Sequence, residues 1–365
     1  MNRLDALLRE GIEQRVYGAA RAVVLHRGKT VYAGGTVPAE AVFDLASVTK
    51  VMSTTALCCR FFAERRLRHD EKLGAYLPGA AAAEVTLADL LFHRSGLPPF
   101  LCYFADELNA CPALFDDAPH ATLRDEVRQR VLARAAATAP TQPARTSAVY
   151  SDIGFMLLGA VLERVGGARQ DQLFARHVAG PLRLDRAGYR PISARLPLPD
   201  LLLPTGATRP REPAPGQEGL WSVPLHPSHL GDVDDDNAWV MDGVSGHAGL
   251  FASAPDVARF GQAVLEGWLS SPVPLLADAT TPGSTRTLGF DTPSKEGSST
   301  GRRFGSLPPG AVGHLGFTGT SLWIDLGREL VVALLTNRTI FGRANLQLRD
   351  FRPRFHEAVL DAVKA

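Results

Sequence analysis

Apolar positions along the chain switch between two periods. Leu4, Leu7, Leu8 and Ile12 recur at helical spacing and predict an amphipathic first helix. Residues 19–26 are apolar enough for a strand, Arg27-Gly28 supplies a turn, and residues 29–33 return as a second strand. Ser47 to Leu67 reads as one long helix. Helical periodicity returns over 87–93, 123–137, 154–165 and 170–178, so residues 51 to about 180 are mainly helical. Between Arg190 and Gly231 the chain is proline-rich and reads as an ordered surface excursion. Ser253-Ala254-Pro255-Asp256 has the spacing of a capping box and opens a helix through Val264. Residues 270–313 are rich in Ser, Thr, Pro and Gly, with one short strand expected over 288–291. Residues 321–326 and 329–336 flank Gly327-Arg328 as a hairpin, and residues 346–363 form a last helix.

Strands therefore sit at both ends of the sequence, with helices between them. The economical arrangement is an α/β (α+β) fold, with an antiparallel sheet built from both chain ends, flanking helices and an inserted helical lobe. The expectation is a single domain over 1–365. Its α/β lobe comprises about 1–50 and 250–365, and its helical lobe about 51–249. With 45% hydrophobic and 21% charged residues the composition is that of a globular protein. The 39 basic and 38 acidic residues give a net charge of +1, which offers nothing to nucleic acid or to an anionic membrane. No apolar run is long enough to span a bilayer. Asp5, Glu10 and Glu13 interrupt the N-terminal segment, so it does not read as a secretory signal and the cytoplasm is expected rather than the periplasm. Cys58, Cys59, Cys102 and Cys111 show no metal-ligand spacing and are expected as reduced thiols.

The strongest chemical signal is Ser47-Val48-Thr49-Lys50. Of the five lysines only Lys50 has a serine three residues before it. Three-residue spacing on a helix puts Ser47 Oγ and Lys50 Nζ within reach of each other. Ser47 also sits where a helix begins, so backbone N–H groups and the positive helix end face it. By itself the pattern is short and common, and it describes a capping serine beside a solvated lysine better than a catalytic pair.

The wider sequence resembles the serine β-lactamase and penicillin-binding-protein superfamily, in its class C type of esterases and D-alanyl-D-alanine carboxypeptidases. Five segments carry the resemblance in order: 43–50, 90–98, 149–159, 246–253 and 313–323. It implies that Ser47, Lys50 and Tyr150 are catalytic, Tyr150 opening the segment that matches the family's Y-x-N. Asp152 stands where that motif has asparagine. It implies that His314-Leu315-Gly316 matches the family's K-T-G or H-T-G, with Leu315 in place of threonine. Loss of that hydroxyl weakens carboxylate recognition and favours neutral esters or amides. It further implies an oxyanion hole from the backbone N–H groups of Ser47 and Phe317.

The expected chemistry is that of a serine hydrolase acting through an acyl-enzyme on an ester or amide carbonyl, esterase-like or D-Ala-D-Ala-peptidase-like. The partner is a small ester, amide or short peptide, with no cofactor and no metal. A β-lactamase, or a low-turnover penicillin-binding-type binding protein, is the alternative. Free Lys and Tyr ionise near 10, so either would need to fall by roughly 3 units to act as base near neutrality. An ionised Asp152 nearby favours charged Lys50 and hence Tyr150 as the base. Among other candidates, 232–237 reads as a solvated acidic loop, and His226, His229 and His247 as loop histidines. His93 and Ser95 read as residues that end a helix and turn the chain.

Overall fold

The computed structural model describes residues 3–116, 118–270, 280–282 and 284–364. Its ten strands are β1 (Ala20–His26), β2 (Lys29–Gly35), β3 (Val42–Asp44), β4 (Gly188–Tyr189), β5 (Thr208–Arg209), β6 (His226–Pro227), β7 (Leu250–Ser253), β8 (Ala311–Leu315), β9 (Ser321–Asp325) and β10 (Leu330–Thr336). The main sheet has the order β2-β1-β10-β9-β8 and is antiparallel throughout. It is thus built from both chain ends, as the pattern predicted.

Strand β10 explains why this sheet is central. Its run Leu-Val-Val-Ala-Leu-Leu-Thr is buried along its whole length. Successive side chains point to opposite faces, and here both faces are covered. Val331, Ala333 and Leu335 join one core with Val257 and Phe260 of helix Ala254–Leu265. Leu330, Val332 and Leu334 join a second core with Leu4, Leu8, Phe351 and Phe355 of the terminal helices Arg3–Glu13 and Leu348–Lys364. Gly261 lets the first of these helices lie close to the sheet, since a Cβ there would stand 2.6 Å from Val331 Cγ1. The Ser253 hydroxyl caps that helix by accepting the Asp256 N–H.

A second sheet, β3-β7-β4, pairs Val42 with Ser253 and Asp44 with Phe251. It delivers the chain to the candidate nucleophile. Helix Asp152–Gly166 is nearly all apolar and buried on its first three turns, and Gly167 closes it in a left-handed conformation. Its neighbour is the segment Ser245–Gly249. A Cβ on Gly246 would lie 2.0 Å from the Phe155 carbonyl oxygen, so only glycine permits this approach.

The sequence pattern misjudged three places. Residues 47–67 do not form one regular helix. Lys50–Thr55 widens into a π-helical turn before Ala56–Ala63, and the helix ends at Glu64. Residues 288–291 are not a strand. They form a bend bracketed by the isolated bridges Arg286–Asp291 and Asp291–Gly313, with Leu288 and Phe290 fully buried. The run 232–237 is not a solvated loop: Asp232, Asp234, Asp236 and Asn237 are all buried. Of the low-complexity stretch 270–313, residues 271–279 and 283 lie outside the described residues. All four cysteines are free thiols. Among the described residues no helix is long and apolar enough to cross a membrane, and no cluster of His, Cys, Asp and Glu is arranged to hold a metal ion.

The close approach at Gly246 gives a stability test. Gly246→Ala must push helix Asp152–Gly166 off the segment that follows it, and overpacking of this kind should cost about 3 kcal/mol. Urea denaturation should show a lowered midpoint, and an unchanged midpoint would refute the tight packing.

Candidate active site

Ser47 follows the end of β3 through a strained turn. Ala46 has φ 46°, a left-handed value rare for a residue with a side chain. The strain is held by Asp44, whose Oδ1 accepts the Ala46 N–H at 2.8 Å and whose Oδ2 accepts the Asp234 N–H at 2.5 Å. Burial and the neighbouring Asp234 push the Asp44 carboxyl up to about 7. The helix that starts after Ser47 brings Lys50 back beneath it, with Lys50 Nζ 2.9 Å from Ser47 Oγ.

Lys50 is fully buried. Its ammonium has three N–H donors, and three oxygens surround it: Ser47 Oγ, the His247 carbonyl at 3.1 Å and Asp152 Oδ1 at 2.7 Å. It also stands 4.8 Å from the Tyr150 ring centre. Burial alone would lower the Lys50 pKa, but the charge of Asp152 and the Tyr150 oxygen outweigh it, and the value is raised. Lys50 is therefore a resting cation.

Tyr150 is the phenol of the group, beside both Lys50 and Ser47. Burial raises its pKa, Lys50 draws it back down, and Asp152 raises it again; the net shift is upward. Its position depends on His93. Val149 N–H donates to the His93 carbonyl at 2.8 Å, and Ser151 N–H donates to His93 Nδ1 at 3.0 Å. The imidazole packs on the Tyr150 and Phe155 rings at 4.6 and 5.0 Å. Burial, then Arg286 and Lys50, hold His93 well below its ordinary pKa. It is neutral, with its proton on Nε2. The segment 90–98 pointed at this residue, yet the sequence suggested only a chain turn there.

His314 is buried at its strand end, 5.8 Å from the Tyr150 ring. Its Nδ1–H donates to the Leu315 carbonyl at 2.8 Å, and burial followed by Lys50 and Arg286 keeps it neutral. Leu315 and Gly316 continue along the same edge into a turn that carries Phe317. The N–H groups of Ser47 and Phe317 meet no acceptor among the described residues.

Two cavities flank Ser47, and Phe317 borders both. One, of about 320 Å³, is lined by Ser47, Tyr150, His314, Leu315 and four arginines: Arg286, Arg338, Arg349 and Arg352. Asp291, paired with Arg286 at 3.1 Å, is its one carboxylate among the described residues. Among the described residues Arg352 donates to the Gly316 and Thr320 carbonyls alone, and burial lowers its pKa to about 9. Arg338 likewise bonds carbonyls of Arg343 and Asn345. The cavity is thus strongly cationic, a property Leu315 alone did not suggest. The other, of about 200 Å³, holds Ser47, Asp152, Pro99 and Phe100 together with Asp234, Asp235, Asp236 and Arg343. These aspartates are neutralised by distant partners: Arg209 with Asp236 at 2.8 Å, Arg211 with Asp234 at 3.2 Å, and Arg343 with Asp234 and Asp236 at 3.3 Å. Asp235 pairs with His247 at 2.9 Å.

The beta-lactamase family model matches residues 4–352. The chain belongs to the beta-lactamase family. It is 30% identical over 322 residues to the N-acetylmuramyl-L-alanine amidase of Bacillus subtilis (strain 168), covering 81% of this chain and 68% of the relative. A protein of Escherichia coli (strain K12), provisionally named a D-alanyl-D-alanine carboxypeptidase, is 28% identical over 325 residues, covering 81% and 69%. The solved structure of EstCE1, titled a hydrolase with promiscuous acyltransferase activity, superposes with a TM-score of 0.64 at 22% identity over 96% of this chain and 97% of that one. This beta-lactamase-family chain is accordingly a serine hydrolase of the acyl-enzyme kind.

The electrostatics fix a pH signature. The Lys50–Tyr150 pair titrates as a unit, and a base at this pair would require its singly protonated state. Because both pKa values are raised, turnover should climb with pH through neutrality. Asp152 raises both groups, so Asp152→Asn should move both limbs of the kcat/KM profile to lower pH. A basic limb that stays in place would show that Asp152 does not tune the pair.

Proposed function

We propose that this chain hydrolyses small esters or amides that carry a carboxylate, with Ser47 as nucleophile, Tyr150 as base and Lys50 as the cation that lowers the cost of a phenolate. The observation that carries this reading is the saturated environment of Lys50. With three oxygens around its three N–H groups, the charged Lys50 has no lone pair to take a proton, and making it neutral would strand the Asp152 carboxylate. The Tyr150 oxygen is the remaining acceptor beside Ser47.

From the state in which Tyr150 has lost its proton to solvent and stands as a phenolate beside charged Lys50, Ser47 Oγ bonds to the carbonyl carbon while its proton passes to the Tyr150 oxygen. The free N–H groups of Ser47 and Phe317 receive the negative oxygen. The bond to the leaving oxygen or nitrogen then breaks as Tyr150 returns the proton to it. Water repeats the sequence on the acyl-enzyme and releases the acid and free Ser47. Asp152 acts by holding Lys50 charged. His314 and Leu315 form the wall of the cationic cavity, and Gly316 permits the turn that presents Phe317.

The cationic cavity supports a substrate carboxylate despite Leu315, a change from the neutral ester that the sequence favoured. The names of relatives, an amidase and a D-alanyl-D-alanine carboxypeptidase, support an amide among the substrates. A β-lactam also combines an amide with a carboxylate, so the cavity keeps that reading as the second one. Four free cysteines, two of them fully buried, fit a reducing compartment.

Two measurements test the assignment. Ser47→Ala should abolish both chromogenic ester turnover and fluorophosphonate labelling, and labelling that persists would refute Ser47 as nucleophile. Arg349→Ala should raise KM about tenfold for a carboxylate-bearing ester and leave a neutral ester unchanged, as expected for one lost charged hydrogen bond. Equal effects on both esters would remove the carboxylate subsite. A chromogenic cephalosporin run alongside separates the β-lactamase reading.

A further inference from the structure

The two N–H groups that flank the reacting carbonyl come from different sheets. Ser47 follows β3 of the small sheet, and Phe317 follows β8 at the edge of the main sheet. No strand ladder joins β3 to β8. What joins them is a pair of buried hydroxyls. Thr318 Oγ1 donates to the Asp44 carbonyl at 2.7 Å, and Thr320 Oγ1 donates to the Leu45 carbonyl at 2.9 Å. Both threonines are fully buried. Their bonds end on consecutive carbonyls, two and three residues before Ser47, and start one and three residues after Phe317.

The turn that carries them is itself fixed. Gly316 N–H donates to the Thr320 carbonyl at 2.7 Å, and Gly319 N–H donates to the Gly316 carbonyl at 3.0 Å. Arg352 donates to the Gly316 and Thr320 carbonyls, and Thr336 Oγ1 donates to the Gly319 carbonyl at 2.9 Å. Contact across the junction is close: a Cβ on Gly316 would stand 2.0 Å from Thr320 Oγ1 and 2.4 Å from the Leu45 carbonyl oxygen. On the other side Asp44 holds the strained Ala46 turn. Each half of the oxyanion site is therefore rigid within itself, and the two hydroxyls set the distance between the halves.

We propose that Thr318 and Thr320 are positioning residues that set the spacing of the Ser47 and Phe317 N–H groups. This rests on the reading of those two groups as the oxyanion hole. The hydroxyls do not touch substrate. They act through the carbonyls of Asp44 and Leu45, and removing them lets the edge turn drift from the nucleophile. A displacement near 1 Å at such a site costs about 100-fold in rate.

The test compares Thr318→Val and Thr320→Val with wild type on a chromogenic ester and on its thionoester, whose sulfur accepts hydrogen bonds poorly. The ratio of kcat/KM for oxygen over sulfur cancels the fraction of folded enzyme, so a merely structural role leaves it unchanged. Each valine variant should lower kcat for the oxygen ester by about 10- to 100-fold. KM should stay within about twofold, and the oxygen-over-sulfur ratio should fall at least about fivefold. The serine variants, which keep the hydroxyl, should recover most of the loss. An unchanged ratio in both valine variants overturns the proposal, as does failure of both to fold, since the hydroxyls would then hold the fold and not the hole. A wild-type ratio near one would instead sink the oxyanion reading beneath it.

Discussion

A lysine with no access to solvent has to be neutralised by whatever surrounds it, and the centre of this molecule is arranged around that requirement. An unpaired buried ammonium costs several kcal/mol. Lys50 meets the cost with one carboxylate, one carbonyl and one hydroxyl. Each partner comes from a different stretch of chain. Asp152 opens the buried helix, the His247 carbonyl comes from the glycine-flanked segment against that helix, and Ser47 ends the strained turn. The glycines Gly159 and Gly246 allow the second of these to come close, and Thr54 fixes it by donating to the Gly246 carbonyl at 2.6 Å. The π-helical turn that begins at Lys50 belongs to the same arrangement, because widened turns commonly mark functional sites.

How much of this was legible follows from how local each signal is. The Ser47–Lys50 spacing, the Ser253 cap and the hairpin around Gly327 depend on residues within a few positions of one another, and all three stand as the pattern indicates. The main sheet was legible because β10 is apolar at every position but its last, which only a strand covered on both faces can use. The buried acidic run was not legible. Its charges are met by Arg209, Arg211 and Arg343, two of them in the proline-rich excursion and one near the C-terminus. Sequence shows such charges only as a polar run. The same applies to the cationic cavity, whose arginines come from positions 286 to 352 and converge only in the fold. The strand expected over 288–291 failed for a related reason. Its apolar residues fill the core from a bend, with Gly289 in a left-handed conformation.

Leu315 illustrates how one substitution in a motif misleads when read alone. A hydroxyl is absent from the wall, yet the opposite rim supplies guanidinium groups held by carbonyls instead of carboxylates. Carbonyl partners orient a guanidinium without cancelling its charge. Arg338 and Arg352 therefore leave a net positive field in the cavity, which the single ion pair of Arg286 with Asp291 does not remove.

The two imidazoles beside Tyr150 complete the electrostatic picture. A lysine in place of His314 would add a permanent charge to the site, whereas His314 is buried next to Lys50 and Arg286 and stays neutral. His93 is neutral for the same reasons. The field on the phenol therefore comes from Lys50 and from Arg286, whose guanidinium lies 5.1 Å from the Tyr150 ring centre. Asp152 opposes both. A phenol flanked by two cations and one anion, with two uncharged rings excluding water, keeps its proton at rest, and the two cations lower the cost of the phenolate that takes the Ser47 proton.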